Sequence, residues 1–268
     1  MGFFEKLKAA GRRRQSLLCV GLDTDPDRIP PSLKGDVLAF NQAIIEATSD
    51  LVCAYKPNIA FYEAMGARGW RNLRDTIRAV PKDIPVILDA KRGDIGNTAR
   101  MYARAFFEEL GVDAVTVNAY MGFDAVEPFL GYEGRCAFIL CLTSNPGSAD
   151  FQRLRCEGKP LYRWMAEKAV AWSEQGACGL VVGATHPEEL REIRETAPKL
   201  PFLIPGLGAQ GGDVAATVRC GTDANGEGAI LNSSRGILYA SSGADFAEAA
   251  RTAAESLREA IHRSGKRE

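Results

Sequence analysis

Histidine is nearly absent: His186 and His262 are the only two in 268 residues. A serine-type triad or a histidine-built metal centre therefore has little to be made from. His262 falls in a C-terminal helical pattern, and His186, just before Pro187 in GATHPEEL, reads as a turn residue. Cysteine is sparse and unpaired, with seven residues, an odd number, and no CxxC spacing, which argues against a disulfide framework or a zinc ribbon. Cys19, Cys53, Cys136, Cys141 and Cys178 sit in or beside apolar runs and read as small core residues of a reducing compartment. No window approaches the roughly 18 apolar residues of a membrane span. The first residues, MGFFEKLKAAGRRRQ, interleave charge with apolar side chains, unlike a signal peptide, and Lys6 stands where a myristoylation signal needs Ser or Thr. An excess of one charge is also missing: 33 Lys plus Arg against 34 Asp plus Glu leave a net charge of −1. That balance gives no field to hold a nucleic acid or an anionic membrane. The run Arg12, Arg13, Arg14 is short and reads as a solvated helix end. What remains is a cytoplasmic protein acting on a small molecule, with no nucleic acid or membrane partner.

Apolar residues, by contrast, are ample at 46%, enough for one large core. Eight short apolar or β-branched runs recur: residues 16–23, 52–58, 85–91, 114–120, 136–143, 178–184, 202–208 and 229–234. Longer segments with apolar residues at three and four spacing lie between them, among them VLAFNQAIIEAT, WRNLRDTIRAV, NTARMYARAFFEEL, LYRWMAEKAVAWSEQG and PEELREIRETA, and DFAEAARTAAESLREAIHR follows the last. Eight strand and helix alternations in a chain of this length predict a (β/α)8 TIM barrel, one domain over residues 1–268 with an N-terminal and a C-terminal helix. The aromatic residues Phe106, Phe107, Trp164 and Trp172 read as helix faces packed on that barrel. One long irregular stretch, residues 144–160, follows the fifth strand and is a candidate active-site loop.

Barrel chemistry lies at the C-terminal ends of the strands, and here those ends carry Asp23, Lys56 with Asn58, Asp89 with Lys91, Asn118, Ser144, Gln210 and Arg235. In PVILDAKRGDIGNTA, strand alternation sends Asp89 and Lys91 to the same side, and toward the barrel interior if Ile87 faces it. Charges buried there need partners. Lys56 and Asp94 are the candidates, giving a neutral tetrad of two lysines and two aspartates, although an Asp before GNTAR also suits a helix start.

The loops after strands seven and eight are where barrels hold phosphate. The seventh ends in PGLGAQGGD, where Gly206, Gly208, Gly211 and Gly212 let backbone NH groups approach an anion. The eighth ends in LNSSRGILYA, with Arg235 placed to pair with phosphate oxygens at the start of a short helix. Gly206, Gly208 and Gly211 also fit GxGxxG, but a dinucleotide fingerprint belongs after an early strand, not the seventh of eight.

Taken in order, GLDTDPDRIP, YKPNIAFYE, DAKRGDIGNTA, CLTSNPGS, PGLGAQGGD and NSSRGI resemble orotidine 5′-phosphate decarboxylases, in particular the bacterial (type 2) subgroup with DxKRGDI. DxK alone is shared with sugar-phosphate enzymes, whereas its combination with YKPN, PGxGAQGGD and the late SRG is far more specific. The resemblance implies decarboxylation of orotidine 5′-monophosphate to uridine 5′-monophosphate without a cofactor or metal, the last step of UMP synthesis. It implies that Lys91 delivers a proton to C6 of the pyrimidine, that Asp89 sits against the departing carboxylate, and that Lys56 and Asp94 complete the charged network. Asp23 and Lys56 match residues that hold the ribose hydroxyls, Ser144 one that contacts the base, and Gln210 and Arg235 ones that hold the phosphate, beside Gly211 and Gly212. Asp94 and Thr98 match residues that reach across a homodimer into the partner's site. The alternative is a metal-dependent sugar-phosphate decarboxylase or aldolase of the same superfamily, which Lys56 opposes because an ammonium would compete with the metal. A catalytically silent nucleotide-binding barrel is a third reading, opposed by acidic and basic groups at every expected strand end.

Overall fold

A computed structural model describes residues 1–207 and 213–265. Eight parallel strands form its barrel: β1 (Leu18–Gly21), β2 (Ala54–Lys56), β3 (Ile87–Arg92), β4 (Ala114–Val117), β5 (Cys136–Leu142), β6 (Cys178–Val182), β7 (Phe202–Pro205) and β8 (Ala229–Ser233). Each lies within, or one residue beyond, a run picked out by sequence. The hydrogen-bonded order runs β2, β1, β8, β7, β6, β5, β4, β3, and the parallel bridges Tyr55 to Val86 and Asn58 to Asp89 close the remaining gap.

Strand alternation divides the apolar residues between two cores. Cys19, Ala54, Ile87, Ala114, Cys136, Phe138, Val181, Leu203 and Ile230 pack inside the barrel. The intervening residues, such as Leu18, Val20, Leu88, Val115, Ile139, Leu180 and Leu231, belong to the outer core beneath the helices. The chemistry thus occupies one end of a filled cylinder. Its other end is plugged by Phe3, from the helix Phe3–Arg14, whose ring meets Phe138 edge-on at 5.6 Å. Six of the seven free cysteines are buried, all but Cys156. Burial pushes the Cys53 thiol up to about 12, so packing rather than reactivity accounts for it.

The helix Val37–Thr48 has the bounds its periodicity predicts, with the Asp36 side chain accepting from Ala39 N at its start. Two sequence expectations need correction. Arg12 and Arg13 are largely exposed, but Arg14 is only 10% exposed and pairs with Asp83, while its Nε donates to Ser49 O at 2.6 Å. The third arginine therefore staples the helix end to the barrel. Trp164 does not pack on the barrel: its indole NH donates to Cys156 O at 3.1 Å and Lys159 lies over its ring. The stretch 144–160 is ordered, with a 3-10 turn at Pro146–Asp150 and a short hairpin of Arg155–Cys156 with Lys159–Pro160. Gln152 ties it down, its Oε1 accepting from Thr143 N at 2.7 Å.

Candidate active site

The charged residues meet at the C-terminal ends of β1, β2 and β3. The Lys56 ammonium, 3% exposed, lies 3.1 Å from Asp89 Oδ2 and 3.5 Å from Asp23 Oδ1. Lys91 Nζ donates to the other Asp89 oxygen, Oδ1, at 2.5 Å. Two carboxylates and two ammoniums alternate along this line, so its net charge is zero and each buried charge has an opposite neighbour. Burial opposes ionisation of Asp89, yet the ammoniums of Lys56 and Lys91 outweigh it and hold the carboxyl well below the usual carboxylate range. Burial likewise works against the Lys56 charge, and Asp23 and Asp89 reverse it, so that the ammonium keeps its proton above the ordinary lysine value.

The tetrad expected from sequence counted Asp94 as its second carboxylate. Within the chain that place is taken by Asp23. Asp94 lies beyond a turn, its Oδ1 accepts from Ile95 N at 2.8 Å, and among the described residues it makes no ion pair with Lys91. Thr98 is exposed on the helix Gly96–Arg104 that follows. The turn needs Gly93, because a Cβ there would sit 2.4 Å from Asn118 O. Asn58 caps the helix Ile59–Glu63 through Ala60 N, and Asn118 accepts from Tyr120 N, so these two strand-end residues shape loops. Ser144 is half-buried beside the end of β6. Arg235 opens the four-residue helix Arg235–Leu238 with its side chain exposed and no ion pair among the described residues. Gln210, Gly211 and Gly212 lie outside the described residues. His186 precedes the helix Pro187–Thr196 as expected of a turn residue.

Sequence reasoning missed Thr116. It is 1% exposed on β4, and its hydroxyl donates to Asp89 Oδ1 at 2.9 Å. The signal was available: Thr116 alternates with Ala114, which lines the barrel interior, so a polar side chain there faces the same space as Asp89.

These features define the class: a (β/α)8 barrel with fixed ammoniums and carboxylates gathered at its strand ends. Comparison with known proteins gives the family. The chain belongs to the orotidine 5′-phosphate decarboxylase / HUMPS family, whose model matches residues 16–252. It is 55% identical over 271 residues to the orotidine 5′-phosphate decarboxylase of Dehalococcoides mccartyi strain CBDB1, covering all of both chains. It is 54% identical over 267 residues to that of Roseiflexus castenholzii, covering 98% of each. The solved structure of Leishmania donovani OMP decarboxylase superposes with a TM-score of 0.88 at 43% identity, over 99% of both chains.

Proposed function

We infer that this chain, folded as one barrel domain, decarboxylates orotidine 5′-monophosphate to uridine 5′-monophosphate and CO2, without a cofactor, in the closing step of UMP synthesis. The observation that carries the reading is the alternating line Asp23, Lys56, Asp89, Lys91. In the reaction the C6 to carboxylate bond breaks, CO2 leaves, and the electron pair stays on C6 in an in-plane orbital that the ring carbonyls do not delocalise. Stabilisation then has to come from charge already in place. The Lys91 ammonium, fixed by Asp89, faces that pair and transfers a proton from Nζ to C6, and the resulting amine is reprotonated from water. Asp89 stands against the departing carboxylate. Asp23 and Lys56 hold the ribose hydroxyls and Ser144 the base, while Arg235 with Gln210 and the backbone of Gly211 and Gly212 grips the phosphate. Such reactions demand on the order of 20 kcal/mol from the enzyme, more than one ion pair supplies, and phosphate binding remote from C6 contributes the remainder through loop closure.

The same reading makes the active unit a homodimer in which Asp94 and Thr98 complete the partner's site. Support comes from the exposed position of Thr98, with Asp94 half-buried four residues before it, and from apolar side chains left bare nearby: Ile95 is 54% exposed, Met101 51% and Tyr120 81%. The protein works in the cytoplasm, and its free thiols suit that reducing compartment. Among the described residues no helix is long and apolar enough to cross a membrane. A metal-dependent aldol or decarboxylation route is disfavoured because Lys56 already bridges Asp23 and Asp89, so a divalent ion there would have to displace a buried ammonium. The test is loss of the orotidine 5′-monophosphate absorbance band on mixing with enzyme in excess EDTA. Wild type is expected to consume the band, and folded Lys91→Ala protein to leave it intact. EDTA-sensitive turnover, or a Lys91→Ala rate within about tenfold of wild type (~1.4 kcal/mol in the barrier), would overturn the assignment.

A further inference from the structure

The register between β3 and β4 breaks beside the charged line. Leu88 pairs with Val115 and Arg92 with Val117, so Asp89, Ala90 and Lys91 together stand opposite the single residue Thr116. At this irregularity Lys91 takes a φ of 47°, a left-handed conformation that a non-glycine residue adopts only when its surroundings impose it. Asn118 N donates to Arg92 O at 2.7 Å just past it, and one hydroxyl meets the bulge itself. Thr116 Oγ1 accepts from Ala90 N at 3.0 Å and from Lys91 N at 2.9 Å, and donates to Asp89 Oδ1 at 2.9 Å. A threonine hydroxyl offers one donor and two acceptor positions, and all three are committed to three consecutive residues of the catalytic strand.

We propose that Thr116 is a positioning residue for decarboxylation: its hydroxyl holds the bulge that aims Lys91 and fixes the Asp89 oxygen that Lys91 binds. This rests on the roles of Lys91 and Asp89 given above. Thr116 touches no reacting atom, and it acts through the backbone of residue 91 and the carboxylate of residue 89. Loss of the hydroxyl frees two backbone NH groups in a buried place, and the strand relaxes toward regular pairing, turning the Lys91 side chain away from its present direction. Misplacement of a reacting group by about 1 Å costs roughly 100-fold in rate.

The experiment compares Thr116→Val, close in shape but without the hydroxyl, with Thr116→Ser, which keeps it, and Thr116→Cys, whose thiol donates and accepts weakly. The expected result is a fall in kcat of about 100-fold for Val, a smaller fall for Cys, and recovery by Ser. Affinity for uridine 5′-monophosphate should stay within about threefold throughout, since a difference of that size is under ~1 kcal/mol of binding and the product no longer carries the carboxylate. A purely structural role would instead lower kcat and product affinity together with melting temperature, with no dependence on the hydroxyl. The proposal is overturned if Val turns over near the wild-type rate, if Ser is as slow as Val, or if kcat and product affinity decline in parallel. Should Val not fold, the Cys to Ser comparison decides by the same criteria. Full activity in Lys91→Ala protein would instead sink the assignment of Lys91, whatever the Thr116 series shows.

Discussion

Lys56→Met removes the ammonium from between two carboxylates while keeping an unbranched side chain in the space. In the wild type that ammonium is 3% exposed and its partners Asp23 and Asp89 are 17% and 12% exposed, so solvent does little to soften the loss. Breaking a buried pair by deleting one partner costs about 3–5 kcal/mol, because the other charge is left behind. Asp89 keeps Lys91 at 2.5 Å, whereas Asp23 is left with no ion pair among the described residues, which favours the lower end, about 3 kcal/mol. At ~2–4 °C per kcal/mol for large domains, the melting temperature should fall by roughly 6–12 °C. The sign of the pH dependence is fixed as well. Asp89, held below its unfolded value, contributes stability that is fully present above about pH 4 and lost as pH falls through its lower folded value. Lys56, held above its unfolded value, contributes fully below about pH 10 and loses that contribution only as pH rises through its raised folded value. Between roughly pH 5 and 9 the gap between wild type and variant is therefore flat, and in stronger acid it narrows. Differential scanning fluorimetry across this range measures it, and adding Asp23→Asn to the variant should recover part of the loss. A shift under about 2 °C, less than 1 kcal/mol on the same scale, would refute the view of Lys56 as the buried keystone of the charge line. So would a gap that widens in acid.

Arg235→Ala should weaken binding of uridine 5′-monophosphate by at least about tenfold, a charge-assisted contact of some 1.5–3 kcal/mol, and leave uridine nearly unaffected; equal weakening of both in calorimetry would place Arg235 away from the phosphate. Mixing inactive Lys91→Ala with inactive Asp94→Ala protein should restore roughly a quarter of wild-type sites. Random exchange makes about half the dimers mixed, and each mixed dimer has one site free of both lesions. No recovery despite demonstrated subunit exchange would assign Asp94 to the site of its own chain.

Much of this protein is legible along the chain because parallel barrel strands are local objects. Each of the runs that carry Asp23, Lys56 and Asp89, and the run that Ser144 follows, is apolar enough to be a strand, and the two-residue alternation alone puts Asp89 on the Ile87 side, where the barrel interior was found. The order of motifs from YKPN to SRG is likewise a one-dimensional property, and it was enough to indicate the family. Tertiary structure decided which charges meet. Sequence spacing offered Asp94 to Lys91 because it is three residues away, but the turn after β3 carries Asp94 off, and the pairing of β1 with β2 brings in Asp23, whose separation from Lys56 along the chain says nothing about distance in space. Arg14 and Arg13 are neighbours with the same propensities, and only the packing of the first helix on the barrel makes one buried and the other solvated. Thr116 is an ordinary strand residue until β3 bulges against it. Its function as a positioning group depends on the register between β3 and β4, which is a relation between two strands and cannot be read along either one alone.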